Sequence, residues 1–364
     1  MPKYRTLLIL ALLAAVSVAL AAWSWQRTHA RLEISGVGEP LISGLAERGK
    51  EAARIEIIAD EGGDDERLVL VRKGDKWFAG PDEYPADVAR IRKFLVSLVE
   101  LRKAEPKTTL EKNYPLLDVD TPGKKGKRGT RVKIMDSRGA VMADVILGKP
   151  AYDRLGAGKK GQYARLAGDR RAWLVEGLAQ AVPALTRWVN KRAVDLPRDE
   201  IVRGKIVHAD GEVLEVRASG RKGPDGEELF EIVDKPRGAK EKANYIIATV
   251  AKDMAQLDFE LARKARPHEE KPLVYAEVET KDGLVVGHDV YKEGDALWVA
   301  VRVVRPGKSD KGKKLAERIA RTVKGWEYGL SNARGSYFLK RLKDIIEAEE
   351  KNAEDLPAAP PSGE

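Results

Sequence analysis

Apolar and polar residues alternate along most of this chain, in short runs set off by glycine and aspartate. Ile55-Glu56-Ile57-Ile58 and Leu68-Val69-Leu70-Val71 flank Glu61-Gly62-Gly63-Asp64-Asp65, which is a hairpin pattern, and Lys76-Trp77-Phe78 adds a short third strand. The period then changes from two to between three and four. After Tyr84-Pro85-Ala86-Asp87, with Asp87 as the N-cap, Val88, Ile91, Phe94, Leu95, Leu98 and Leu101 predict a helix with one apolar face, while Arg90, Arg92, Lys93 and Glu100 face water. The unit reads β-β-β-α.

A second block repeats the alternation. Val132–Met135 and Val141–Leu147 flank the turn at Asp136–Gly139, and Tyr163–Leu166 and Ala172–Val175 flank Ala167–Arg170. A short helix is expected from about 177 through Trp188, ending at Pro197. The same order then recurs: strands at 205–207 and 213–216 about Asp210-Gly211, a strand at 229–233, and a helix from about Ala243 carrying Ile247, Val250, Met254, Leu257 and Leu261. Strands at 274–278, 284–286 and 296–301 follow, then a final helix through Trp326 to about Ile346, with Trp188 and Trp326 closing their halves in comparable places. The expected fold is α+β: two tandem repeats, 51–197 and 198–346, each an antiparallel sheet with helices packed on one face. Residues 28–50 read as a stalk and 347–364, charged and then Pro-rich, as a disordered tail.

The amino terminus breaks the pattern. Lys3 and Arg5 precede an apolar run from Leu7 to Trp23 interrupted only by Ser17. The run is about 17 residues, about 26 Å as a helix, just enough to span a bilayer core. Residues 1–27 therefore read as an uncleaved single-span anchor with Trp23 and Trp25 at the interface, or as a secretory signal cut after Ala19-Leu20-Ala21. Either reading exports everything after Arg27. No later segment is long and uncharged enough for a second span, so the expectation is a single-pass protein of the bacterial inner membrane with its bulk on the periplasmic side.

Composition narrows the chemistry. Among 364 residues there is no cysteine, which excludes disulfides, thiolate metal sites, iron–sulfur clusters and cysteine nucleophiles. Four histidines (His29, His208, His268, His288) do not make a metal centre, and His208 and His288, near strand ends, read as structural or exposed. Gly156-Ala157-Gly158-Lys159-Lys160-Gly161 matches the dinucleotide-binding spacing, but a strand rather than a helix follows it. Ser219-Gly220-Arg221-Lys222 has the Ser-x-x-Lys spacing of some acyl enzymes inside a Gly-rich loop, where the spacing loses its meaning. No metal, cofactor or catalytic residue is assigned, and the expectation is a protein that is not an enzyme. A hydrolase built on a pair of the many carboxylates would need a deep cleft.

Basic clusters remain. Lys124, Lys125, Lys127, Arg128 and Arg131 form one and Lys308, Lys311, Lys313 and Lys314 another, joined by Arg318 and Arg321 on the helix expected to follow. Glycine interleaves the lysines, so both read as basic loops, either solvated or touching an anionic headgroup or envelope polymer. The net charge of +9 would suit nucleic acid, but export and the lack of an aromatic-basic platform argue against it.

The unit ending in Lys76-Trp77-Phe78, followed by Tyr84-Pro85-Ala86-Asp87, Val145–Lys149, Tyr163-Ala164-Arg165, Trp173-Leu174-Val175 and Trp188–Lys191, resembles the domain-of-unknown-function 4340 family over about 54–346. The resemblance implies a membrane-anchored auxiliary component, often associated with ABC-type transport systems of the gliding-motility type, with an ABC permease as the kind of partner. It carries over no catalytic residue. The second copy has Phe230 where the first has its Trp-Phe pair.

Overall fold

The alternating segments become strands in the computed structural model, which describes residues 14–24, 36–60, 65–123, 128–156 and 158–347. Residues 14–24 form helix α1, with Val16, Val18, Leu20 and Trp23 all exposed. Among the described residues no helix is long and apolar enough to cross a membrane. The remainder of the expected anchor, 1–13 and 25–27, lies outside them, as does the tail from 348.

The segment expected as a stalk is, from Gly36 onward, part of a folded unit. Gly38 N–H donates to Lys103 O (2.7 Å) and Leu41 N–H to Leu101 O (2.8 Å), while Leu41, Ile42 and, on the short helix α2 (Leu45–Arg48), Leu45 are buried. β1 (Ala52–Asp60) and β2 (Asp65–Lys73) pair antiparallel with Ile55 opposite Leu70 and Ile57 opposite Leu68. β3 (Lys76–Ala79) and the two-residue β4 (Tyr84–Pro85) lead to α3 (Val88–Val99). The Asp87 carboxylate caps α3 by accepting from the N–H groups of Ala89 (2.9 Å) and Arg90 (3.3 Å), as its position predicts, and the helix buries Ile91, Phe94 and Leu98. β5 (Arg102–Pro106), β6 (Thr130–Asp136), β7 (Val141–Pro150), β8 (Gly161–Leu166) and β9 (Ala172–Glu176) complete a sheet in the order β4-β3-β2-β1-β6-β7-β8-β9-β5.

A two-stranded ladder of β10 (Arg192–Asp195) with β14 (Gln256–Asp258) introduces the second half. Its large sheet contains β11 (Ile201–His208), β12 (Val213–Lys222), β13 (Glu228–Ile232), β15 (Leu261–Lys264), β16 (Val274–Thr280), β17 (Val285–Glu293), β18 (Ala296–Arg305) and β19 (Trp326–Leu330). The order is β13-β12-β11-β16-β17-β18-β19-β15. Read from β3, the first sheet has the same order of connections strand for strand, so the repeat inferred from patterning is a repeat of topology. By packing, the chain divides into two units at Arg187/Trp188, with Pro81–Tyr84 grouping with the second.

At one connection the two copies differ by a whole helix. β8 and β9 are joined by a turn over 167–171, whereas β18 and β19 are joined through α5 (Asp310–Val323). α4 (Asn244–Lys252) packs on β11, β12 and β13, and α6 (Asn332–Phe338), capped by Ser331, follows β19.

Three expected helices are corrected. The segment from 177 is irregular apart from a 3-10 turn at Leu185–Arg187: Pro183 cannot donate to a helix, and Gly177 and Ala179 instead bond Lys160 O and the Gln162 side chain. α4 stops at Lys252, because Leu257 is drawn into the ladder opposite Val194, and Leu261 lies on β15. Trp326 opens a strand, since Gly325 at φ +77° turns the chain out of α5. Trp326 therefore belongs to the strand matching β9, and its equivalence with Trp188 does not hold.

Close packing explains one glycine. A Cβ on Gly204 of β11 would sit 2.5 Å from Ala251 Cα, on α4. Gly204→Ala is expected to lower stability by about 2 kcal/mol, the overpacking cost of one added methyl, read from the shift of a chemical-denaturation midpoint.

Candidate functional site

α5 starts where it does because Ser309 is held on both sides. Its hydroxyl accepts from Gly312 N–H (3.0 Å) as the N-cap, and its own N–H and hydroxyl donate to the Asp282 carboxylate, each at 2.9 Å. Asp282 sits in the β16–β17 turn, so that turn fixes the position of the helix. A Cβ on Gly312 would fall 1.7 Å from Asp282 Oδ2. Gly312 is thus a packing residue. Lys311, Lys313 and Lys314, expected on a loop, lie on a helix whose inner face buries Gly312, Ala316, Ile319 and Val323.

Helical geometry then sorts the lysines. Lys311, Lys314, Arg318 and Arg321 recur at intervals of three and four, so they share one flank of α5. They line an open cleft of about 760 Å³ against Asp195, Leu196, Pro197 and Gln256, with Leu315 between them. Lys313 falls on the other flank, 4.0 Å from Asp310, an exposed pair of negligible strength. Asp195, the acid of the cleft, is already engaged by Arg192 (3.2 Å) and Gln256 (3.1 Å). Among the described residues none of the four lining cations has an ion-pair partner. Like charges three or four apart disfavour a helix by about 0.2–0.5 kcal/mol per pair, and Lys311 and Lys314 also oppose the helix dipole. Three such pairs stand along this flank.

The other expected cluster is only partly described. Lys124, Lys125 and Lys127 lie outside the described residues, and Arg128 is exposed ahead of β6 in the first unit.

The remaining motifs resolve as structure. Gly156 and Gly158 have positive φ in the β7–β8 loop, and Gly161 opens β8, so no helix N-terminus follows. Ser219–Lys222 lies on β12 rather than in a loop, at a bulge where Gly220 has φ +76°. An extended strand does not stack Ser219 on Lys222, so the spacing remains without chemical meaning. His208, at the end of β11, is 3.0 Å from Lys340 O through Nε2. His288 sits mid-strand on β17 rather than near an end, fully buried, with neither ring nitrogen hydrogen-bonded.

Sequence reasoning missed one ionic cluster. Glu327, 1% exposed on β19, accepts from Arg263 Nε (3.0 Å) and lies 2.6 Å from His268 Nε2, whose ring stacks on Tyr291 at 3.5 Å. Arg263 also donates to Glu293 (2.8 Å) and lies 3.7 Å above the Trp298 ring. Glu293 is held below the usual carboxylate range chiefly by Arg263. A glutamate inside Trp326–Leu330, a strand otherwise composed of apolar residues and glycine, was the available signal. This carboxylate is saturated with donors, which suits a structural tie rather than a proton-transfer group.

The family model for a domain of unknown function, DUF4340, matches residues 77–273, more than half of the chain. The chain belongs to the DUF4340 family. No curated protein and no solved structure matches it. The DUF4340 match begins in β3 and ends just before β16, within the span of the resemblance noted from sequence but shorter at both ends. α5 and its basic flank lie beyond the matched segment.

Proposed function

We propose that this DUF4340 protein is a non-enzymatic accessory protein, anchored in the bacterial inner membrane by residues 1–27, whose two β-rich units scaffold a partner on the periplasmic side. The observation that carries the reading is the α5 connection. Two units share one strand order, and the second adds a helix that lines a cleft with four cations, none of them ion-paired among the described residues. An added surface on a common framework is what a docking module requires, and tethering raises its effective concentration near a membrane partner. The apolar run behind Lys3 and Arg5, together with the exposed apolar side chains of α1, supports the anchor. The further assignment as auxiliary to an ABC-type transport system rests on the family resemblance alone.

Deleting residues 1–27 is expected to release the protein from the membrane fraction and abolish function while the remainder keeps its β-rich circular dichroism. Full activity of the released form would refute the tethering. In-membrane cross-linking of the full-length protein, followed by mass spectrometry, tests the partner: ABC permease or ATPase subunits should be recovered. Recovery of lipid or glycan alone would replace the scaffold with a binding module for an anionic envelope polymer or headgroup acting through the basic residues.

A further inference from the structure

We infer that the cleft beside α5 binds a short acidic polypeptide segment of a partner protein, with Lys311, Lys314, Arg318 and Arg321 as the contacting side chains. Chemistry, shape and length each support this occupant. The four cations share one flank, and none has an ion-pair partner among the described residues, so the cleft presents uncompensated positive charge. Clusters of Arg and Lys that converge in a groove are a recurrent device for acidic motifs. The cleft is walled by α5 on one side and by the segment after β10 on the other, so its lining is concave. A flat bilayer cannot follow that surface, whereas a chain can lie in it. From Lys311 to Arg321 the flank runs about 15 Å at the helical rise. About five residues of extended polypeptide span that distance. Half-buried Leu315 and exposed Pro197 supply apolar contact between the charges, which suits a segment alternating acidic and aliphatic side chains.

The helix that carries the flank is placed for the purpose. Asp282 and Ser309 pin its start, and Gly312 allows the close approach, so the cations are held on a rigid element. The first unit has only a turn at the matching connection, so a parallel site is not expected there. The inference rests on the accessory reading only in making the occupant part of a partner protein. Binding in solution is a separate measurement, and its failure would leave the membrane tether and the cross-linking result standing.

The test uses full-length protein in detergent and fluorescein-labelled peptides of about six residues, long enough to span the flank. One alternates Glu with Leu, and the other replaces each Glu by Gln. Fluorescence anisotropy is expected to show binding of the Glu peptide but not the Gln peptide, weakening severalfold as salt rises from about 50 mM to about 200 mM. The Lys314→Gln/Arg318→Gln double variant should weaken binding by about tenfold or more. Lys313→Gln, on the opposite flank, should leave it unchanged. No binding of the Glu peptide overturns the inference. So does equal loss in Lys313→Gln, which would mean only diffuse attraction to a basic protein. If the peptides fail to bind while wild-type protein adheres to phosphatidylglycerol vesicles more strongly than the double variant does, the cleft belongs to lipid and the inference is again overturned.

Discussion

Replacing His288 by leucine is expected to remove a loss of stability that the wild-type protein suffers between about pH 6.5 and pH 4. His288 lies on β17, fully buried, with Phe338 5.2 Å away and neither imidazole nitrogen hydrogen-bonded. Burial drives its pKa from 6.5 down to about 4, the Ala276 backbone opposes the shift, and the Arg302 charge adds to it. In the unfolded chain the same ring takes up a proton near its ordinary value. Above pH 6.5 both states are neutral and the residue makes no pH-dependent difference. As pH falls below that, the unfolded state binds a proton that the folded state refuses, so stability falls until about pH 4 and then levels off. At 1.36 kcal/mol per pKa unit, the fall from 6.5 to about 4 corresponds to about 3 kcal/mol. Carboxylates held low by their partners, such as Glu215 by Arg203, act only at the acid end of this range.

Urea denaturation of wild type and His288→Leu at several pH values provides the check. The wild-type midpoint should fall across the window while that of the variant stays level, and the variant should also be more stable at neutral pH because two unpartnered polar atoms are gone. His288→Asn separates the causes: it cannot titrate but keeps a buried polar group, so its profile should be level without the gain at pH 7. A His288→Leu protein that still loses stability over the same window would show that another group is responsible.

Removing the Glu327 carboxylate is expected to cost about 3 kcal/mol, the scale for breaking a buried ion pair from one side. Glu327 receives Arg263 and His268 together, and its Oε1 is also 3.4 Å from the Arg266 backbone N–H. Glu327→Ala leaves Arg263, only partly exposed and lying over Trp298, with Glu293 alone to offset its burial. Its partners lie on β15 and on the connection to β16, so the substitution should loosen the β15 edge of the second sheet. Hydrogen exchange should quicken first at Arg263 and Ala265, whose N–H groups face β19, that of Ala265 donating to Gly325 O. Substituting Arg263 by leucine as well should recover most of the loss, since a buried pair is often replaceable by apolar side chains but not by half of itself. A cost below about 1 kcal/mol for Glu327→Ala would mean that the cluster is solvated enough to behave as a surface pair.

Much of the architecture was legible from neighbouring residues alone. The hairpins, the Asp87 cap and the apolar face of α3 depend on residues two to four positions apart, the distances over which turn and helix chemistry acts. The recurrence of the strand pattern is likewise written in the order of residues, and matched strand orders account for it. Interleaved glycines misled where a local rule met a distant partner. Gly312 looked like a loop former, yet it is glycine because Asp282, thirty positions earlier, occupies the space of a side chain. The spacing through Leu257 and Leu261 continued that of α4, but Val194 recruited Leu257 into a strand pair.

What this chain's sequence determined by itself was its local grammar: the strands of the hairpins, where α3 and α4 begin, that an apolar run follows Lys3 and Arg5, and that thiol chemistry is excluded. Tertiary structure decided what the charged and titratable groups do. It turned one basic cluster into a four-cation cleft with Lys313 left out, paired Glu327 with Arg263 across 64 positions of sequence, and enclosed His288 without a partner. The physical reason is common to all three. Hydrogen bonding and helix periodicity act between near neighbours and leave a mark in the order of residues, whereas burial and charge compensation depend on which distant segments the sheets bring together.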